Sequence, residues 1–203
     1  LRRRVECGDR ARVLEQLEDR RGEEAVRRGR RVAQQLREDR EAVLAERAEL
    51  LGQLAVAAEG GDTYRCFSIP MGLLQSRHIT GVEIRPGNRS VVHHVLLYED
   101  ALGVSTRLAQ AGDPLPGYEC FGGPGFAPTG LLGGWAPGNR PQVLPQGVGI
   151  RTSAGARMVM QIHYHPNGSA QTDHTRVGFF FAREPIQRDY LVLPLLNGLE
   201  HME

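Results

Sequence analysis

The sequence predicts a mainly β protein, an antiparallel sandwich or barrel, preceded by an N-terminal α-helical segment. Three observations carry this reading. All 12 prolines and 21 of the 25 glycines fall between residues 59 and 203. Short apolar runs in that region are bounded by turn signals. No helical pattern of about 11 residues or more interrupts the series.

Residues 1–58 differ in kind. They hold no proline, four glycines, 14 arginines and 12 acidic residues. Good helix formers dominate. Val32, Leu36, Val43, Leu44, Leu50, Leu51 and Leu54 recur near helical spacing among interleaved charges. The block reads as an exposed helix or helical hairpin, either a solvated linker or a partner-binding helix. Arg40 and Arg47 fall where a coiled-coil seam wants apolar side chains. From residue 59 the β-like runs are 81–85, 91–98, 147–150, 158–164, 177–182 and 191–196. Pro86-Gly87-Asn88, Pro116-Gly117, Gly122-Gly123-Pro124-Gly125, Pro137-Gly138-Asn139 and Asn167-Gly168 punctuate them. The stretch from Gly103 to Pro145 reads as loop-rich.

The 203 residues carry a formal charge of +1, with 40% hydrophobic and 24% charged residues. That is globular composition. The near-zero charge argues against a dedicated nucleic-acid binder, and no apolar run reaches the ~20 residues of a membrane span. Every basic residue is arginine, as codon bias in a GC-rich genome would give. The chain starts at Leu1-Arg2-Arg3 without an apolar leader and stops at Met202-Glu203, so both ends are expected to be cut from something longer. Cys7, Cys66 and Cys120 are too few for a disulfide scaffold and allow one bridge and one leftover.

Four of the seven histidines lie in two β-runs. With period two, Met158, Met160, Ile162 and Tyr164 share one strand face, while Val159, Gln161, His163 and His165 share the other. The first face reads as core, and the second offers two imidazoles to a metal. His93 and His94 are adjacent, so both reach one ion only at a strand end, a bulge or a strong twist. Imidazole-only sites suit copper, zinc, iron or nickel. The sequence has no Cys-x-x-Cys and no Glu-x-x-His, which argues against thiolate zinc, c-type haem and a di-iron bundle.

The words around these histidines are more specific. In order they are Asp62-Thr63-Tyr64-Arg65-Cys66, Val92-His93-His94-Val95-Leu96-Leu97-Tyr98, Tyr118-Glu119-Cys120, Gly134-Trp135-Ala136-Pro137-Gly138, Leu144-Pro145-Gln146-Gly147-Val148-Gly149 and Met160-Gln161-Ile162-His163-Tyr164. Together they resemble the N-terminal domain of the copper type II, ascorbate-dependent monooxygenases, over about residues 62–185. The peptidylglycine α-hydroxylating and dopamine β-monooxygenases are the familiar members. The resemblance implies a jelly-roll-like β-sandwich over residues 59–203, with the helical block outside it. It implies copper held by His93, His94 and His163, with ascorbate as external reductant. His165 has no counterpart among the ligands; with Gln161 it is a candidate for the shell behind them, or an alternative ligand. Cys66 and Cys120 match positions that pair in the family, which implies a disulfide, an oxidising compartment and an exported parent protein, with Cys7 unpaired.

The family's second copper domain, which takes a His-x-His pair and a methionine, binds dioxygen and chooses the substrate, is not in this sequence. This piece is therefore expected to bind copper and cycle one electron, not to hydroxylate alone. Its partners would be that missing domain and, through it, a small-molecule or peptide substrate. Which residues are catalytic stays open. Tyr164 and Trp135 are expected in the core, and His78 and His174 at the surface or in hydrogen bonds. Asn88-Arg89-Ser90 and Asn167-Gly168-Ser169 fit a glycosylation sequon but also read as turns. Two other classes compete. A cupin-like iron enzyme would need a glutamate soon after His165, and none follows. A non-catalytic β-sandwich would use the 1–58 helix to bind a partner.

Overall fold

A computed structural model describes residues 54–112 and 114–192. These belong to one compact unit. The strands run, in chain order, β1 (Leu54–Val56), β2 (Thr63–Pro70), β3 (Arg77–Arg85) and β4 (Val92–Asp100). A helix, α1 (Val104–Ala111), follows, then β5 (Tyr118–Glu119), β6 (Gly130–Trp135), β7 (Gln142–Val143) and β8 (Val148–Thr152). Last come β9 (Arg157–Tyr164), β10 (Gln171–Asp173), β11 (Arg176–Phe181) and β12 (Arg188–Asp189).

Two antiparallel sheets form a sandwich. One has the order β5-β2-β9-β4-β6, the other β11-β3-β8-β12 with β7 also on β3. The β8–β12 pairing alone is parallel among the described strands. Antiparallel neighbours alternate their side chains between faces. On the inner face Phe67, Val95, Leu97, Met158, Met160 and Ile162 meet Ile79, Val82, Ile84 and Ile150 of the other sheet. Trp135 and Tyr164 lie in this core, as expected, and the Tyr164 hydroxyl donates to Asp173 at 3.0 Å. Burial first, then the Asp173 charge, pushes the Tyr164 phenol far above its ordinary range.

The mainly β expectation holds, and five of the six predicted runs match β3, β4, β8, β9 and β11, overrunning a strand end by at most one residue. The sixth does not. Leu191 and Val192 are outside any strand, 193–196 lie outside the described residues, and the short strand there is Arg188–Asp189. The helical reading of residues 1–53, and Cys7 with it, lies outside the described residues. Its last residues are corrected: Leu54 and Val56 are buried with Ala55 exposed, and the three pair with Gln171–Asp173 as a strand. Spacing of two, not helical spacing, governs there, so Leu54–Val56 belongs to the β region and not to the helical block.

The stretch read as loop-rich contains α1. No side chain at its N-cap marks it, because Gly103 occupies that position at φ 71°. The cap comes from upstream: Asp100 accepts the backbone N–H of Ser105 at 2.7 Å and of Leu102 at 3.1 Å. Burial raises the Asp100 carboxyl, but hydrogen bonds from Ser105, Val104 and Leu102 outweigh it and hold the group below its ordinary value. A depressed folded-state value contributes stability that is complete above the unfolded value of 3.8 and is lost as pH falls below it. Asp100→Asn is expected to cost about 1–2 kcal/mol at neutral pH. Urea midpoints measured down the acid limb should show that gap shrinking; a gap constant with pH would refute the assignment.

The outer face of the β5-β2-β9-β4-β6 sheet is also covered. Cys66, Tyr118, Cys120 and Val159 form a second buried cluster, packed by Leu108 and Ala109 of α1 and by Phe126. Strand β9, central in its sheet, is therefore buried on both faces. Beyond this cluster along β9 lies His163, which is buried, and beside it are His94, intermediate, and His93, exposed. The sequence reading places a core on one face of β9 and two imidazoles available to a metal on the other.

Candidate metal centre

Register builds the site. Val92 pairs with Tyr164 and His94 with His163, so β4 advances two residues while β9 advances one. The extra residue is His93, and the bulge lets neighbouring imidazoles turn toward one place. His93 Nδ1 lies 3.2 Å from His94 Nδ1, which lies 3.3 Å from His163 Nδ1. One nitrogen from each of the three rings falls within 4.8 Å of the others. Metal–imidazole bonds of about 2.0–2.1 Å separate bound nitrogens by roughly 3–3.5 Å, so the His93–His94 and His94–His163 separations match those of nitrogens bound to one ion.

The three ligand candidates differ in exposure: His163 is buried, His94 intermediate and His93 exposed. The site is thus anchored on the inside and open on one flank. Burial, then the neighbouring His163 and His93, push the His94 imidazole below its ordinary value. That favours the neutral ring that metal binding requires.

Two residues that the sequence reading quoted but gave no role complete the surroundings. Thr63 pairs with Tyr164, which sets Asp62 opposite His165 and beside His163. Asp62 Oδ2 lies 2.8 Å from His163 Nε2, and Oδ1 lies 2.6 Å from His165 Nδ1. Hydrogen bonding to His165 first, then to His163, holds the Asp62 carboxyl below its ordinary value. Tyr64, two residues along β2 on the same face, stacks on the His163 ring at 4.2 Å and 10°. Phe121 meets Tyr64 edge-on at 5.0 Å. A carboxylate opposite a histidine is a fact of register, and nothing in the local sequence announces it.

Gln161 is placed differently from the expectation. Its amide donates to the Cys120 carbonyl at 2.7 Å and the Gly123 carbonyl at 3.1 Å. It shares a face with His163, yet it anchors the loop after β5 and spends its donors there. His165 lies outside the three-imidazole cluster and is mostly exposed. Cys66 and Cys120 form a disulfide with Cα atoms 5.9 Å apart. His78 hydrogen-bonds Asp189 at 3.0 Å, and His174 is exposed. Of the sequons, Asn88 uses its side-chain amide on Gln171 and Thr172, whereas Asn167 is exposed.

No described helix is long and apolar enough to cross a membrane. Compared with known proteins, the chain matches no family model and no curated sequence.

Proposed function

We propose that this chain is the copper-binding, electron-transfer half of an ascorbate-using monooxygenase that hydroxylates C–H bonds with dioxygen. The catalytic partner would be a second copper domain of the same protein. One observation carries the reading: a bulge in β4 brings two adjacent histidines onto the third across the sheet, with no carboxylate among the donors. Neutral imidazoles suit copper in both of its common oxidation states, and copper(II) is the tightest-binding divalent ion of its series. Bound there, copper would supply one-electron redox chemistry.

The chain's own residues do the rest. His163, buried under Tyr64, gives the site a fixed side. His93 and the partly exposed His94 leave the other flank open to a reductant. The Cys66–Cys120 disulfide suits an oxidising compartment, and export of the parent protein is part of this proposal. Iron in a cupin-like site is disfavoured because the convergent set contains three imidazoles and no glutamate.

The test is copper reconstitution in competition with zinc. We expect one tightly held copper per chain, a cupric paramagnetic signal that ascorbate abolishes, and no hydroxylation by the chain alone. A folded chain that retains zinc but not copper, or neither, would sink the proposal. Hydroxylation by this chain alone would also contradict it.

A further inference from the structure

We infer that Asp62 is a positioning residue for His163 and that His165 holds Asp62 instead of joining the ligand set. The inference deepens the copper-site reading and rests on it for its metal readout. One carboxylate makes two bonds to two imidazoles, of His163 in β9 and of His165 just past its end: Oδ2 to His163 Nε2 at 2.8 Å and Oδ1 to His165 Nδ1 at 2.6 Å. A carboxylate can only accept, so each of those ring nitrogens carries the proton. In the neutral His163 ring that leaves the lone pair on Nδ1, the nitrogen that lies 3.3 Å from His94 Nδ1. Carboxylate, imidazole and metal in line is the arrangement by which outer partners fix a ligand's tautomer and raise its basicity.

The His163 ring is then constrained in two independent ways. Tyr64 stacks within 10° of parallel and sets the ring plane. Asp62 sets the rotation within that plane. Asp62 itself is an exposed residue just ahead of β2, with 43% of its side chain accessible, so it needs a second tether. His165 supplies it. The His165 backbone is fixed by its N–H bond to the Val91 carbonyl at 2.8 Å, although its side chain is 67% accessible. The strand alternation that puts His165 on the same face as His163 therefore serves the carboxylate between them.

Two measurements on the full chain test this. The first needs no metal: nitrogen-15 NMR of the imidazoles at about pH 8, above the ordinary imidazole value, reads each ring's tautomer. Wild type should hold His163 with its proton on Nε2, and Asp62→Asn should give a tautomer mixture. The second is copper(II) affinity by chelator competition, with the paramagnetic spectrum of the bound ion. Asp62→Asn should weaken binding about 10–100-fold, the range for lost outer partners. His165→Gln should cost much less, with the number of coordinated nitrogens unchanged.

An unchanged His163 tautomer in Asp62→Asn overturns the inference, as does wild-type affinity in that variant. Loss of a coordinated nitrogen in His165→Gln would make His165 a ligand and overturn it too. If wild type takes no copper while the tautomer responds as expected, the copper reading fails and the positioning role stands. Asp62 is exposed, so the variant should fold, and circular dichroism checks that it has.

Discussion

We expect His163→Ala to abolish tight copper binding and to leave the sandwich folded. The loss should exceed the 10–100-fold typical of outer partners, because a coordinating nitrogen itself is removed. The other two candidates, His93 and His94, are neighbours on one bulge and are both partly open to solvent. Without His163 no donor from β9 remains in the cluster, and nothing fixes the remaining pair from the inside. His163 lies between Tyr64 and Asp62 and outside the main core cluster, so its truncation does not cut into that core. Chelator competition and thermal melting on the same sample separate the two effects. His78→Ala is the control, since His78 pairs with Asp189 in the other sheet. Equal copper affinity in wild type and His163→Ala would remove β9 from the site and with it the case for three imidazoles.

The residues that made this site legible in the sequence are those whose role is set by alternation. Met160, Ile162 and Tyr164 against Gln161 and His163 could be sorted by period two, and the structure sorts them the same way. The condition on His93 and His94 was also legible, since adjacent side chains on a regular strand diverge. Which escape the chain takes was not. No glycine or proline marks the bulge, which comes from how β4 and β9 align over their whole length. Asp62 was out of reach for the same reason: its partners lie 101 and 103 residues away. Helix α1 escaped because it is short and its cap, Asp100, stands at the end of a strand where capping signals are not sought. Leu54 escaped because one apolar residue fits a helical spacing and a strand spacing equally well. Gln161 was sorted to the correct face and given the wrong neighbour, because the loop carrying Cys120 and Gly123 folds over that face.

That loop is the subject of the second large effect. Replacing both Cys66 and Cys120 by alanine should destabilise the fold by about 4 kcal/mol, the chain-entropy value for a bridge across 54 residues. For a domain of this size that corresponds to a melting temperature lower by on the order of 10 °C. Alanine is the appropriate replacement, since both cysteines are buried and serine would bury hydroxyls in an apolar cluster. The consequence reaches the histidines through named contacts. Cys120 is tied to β9 by Gln161, and Tyr118 bonds the Pro124 carbonyl at 2.7 Å, so the loop between them is held at both ends. Phe121, the residue after Cys120, then lies edge-on to Tyr64, which stacks on His163. The double variant should therefore melt early and also bind copper a few-fold more weakly, while Phe121→Ala should show the second effect with little of the first. A double variant as stable as wild type would mean that Gln161 and the apolar cluster hold the loop without the covalent bond. The disulfide would then mark only the compartment in which the protein works.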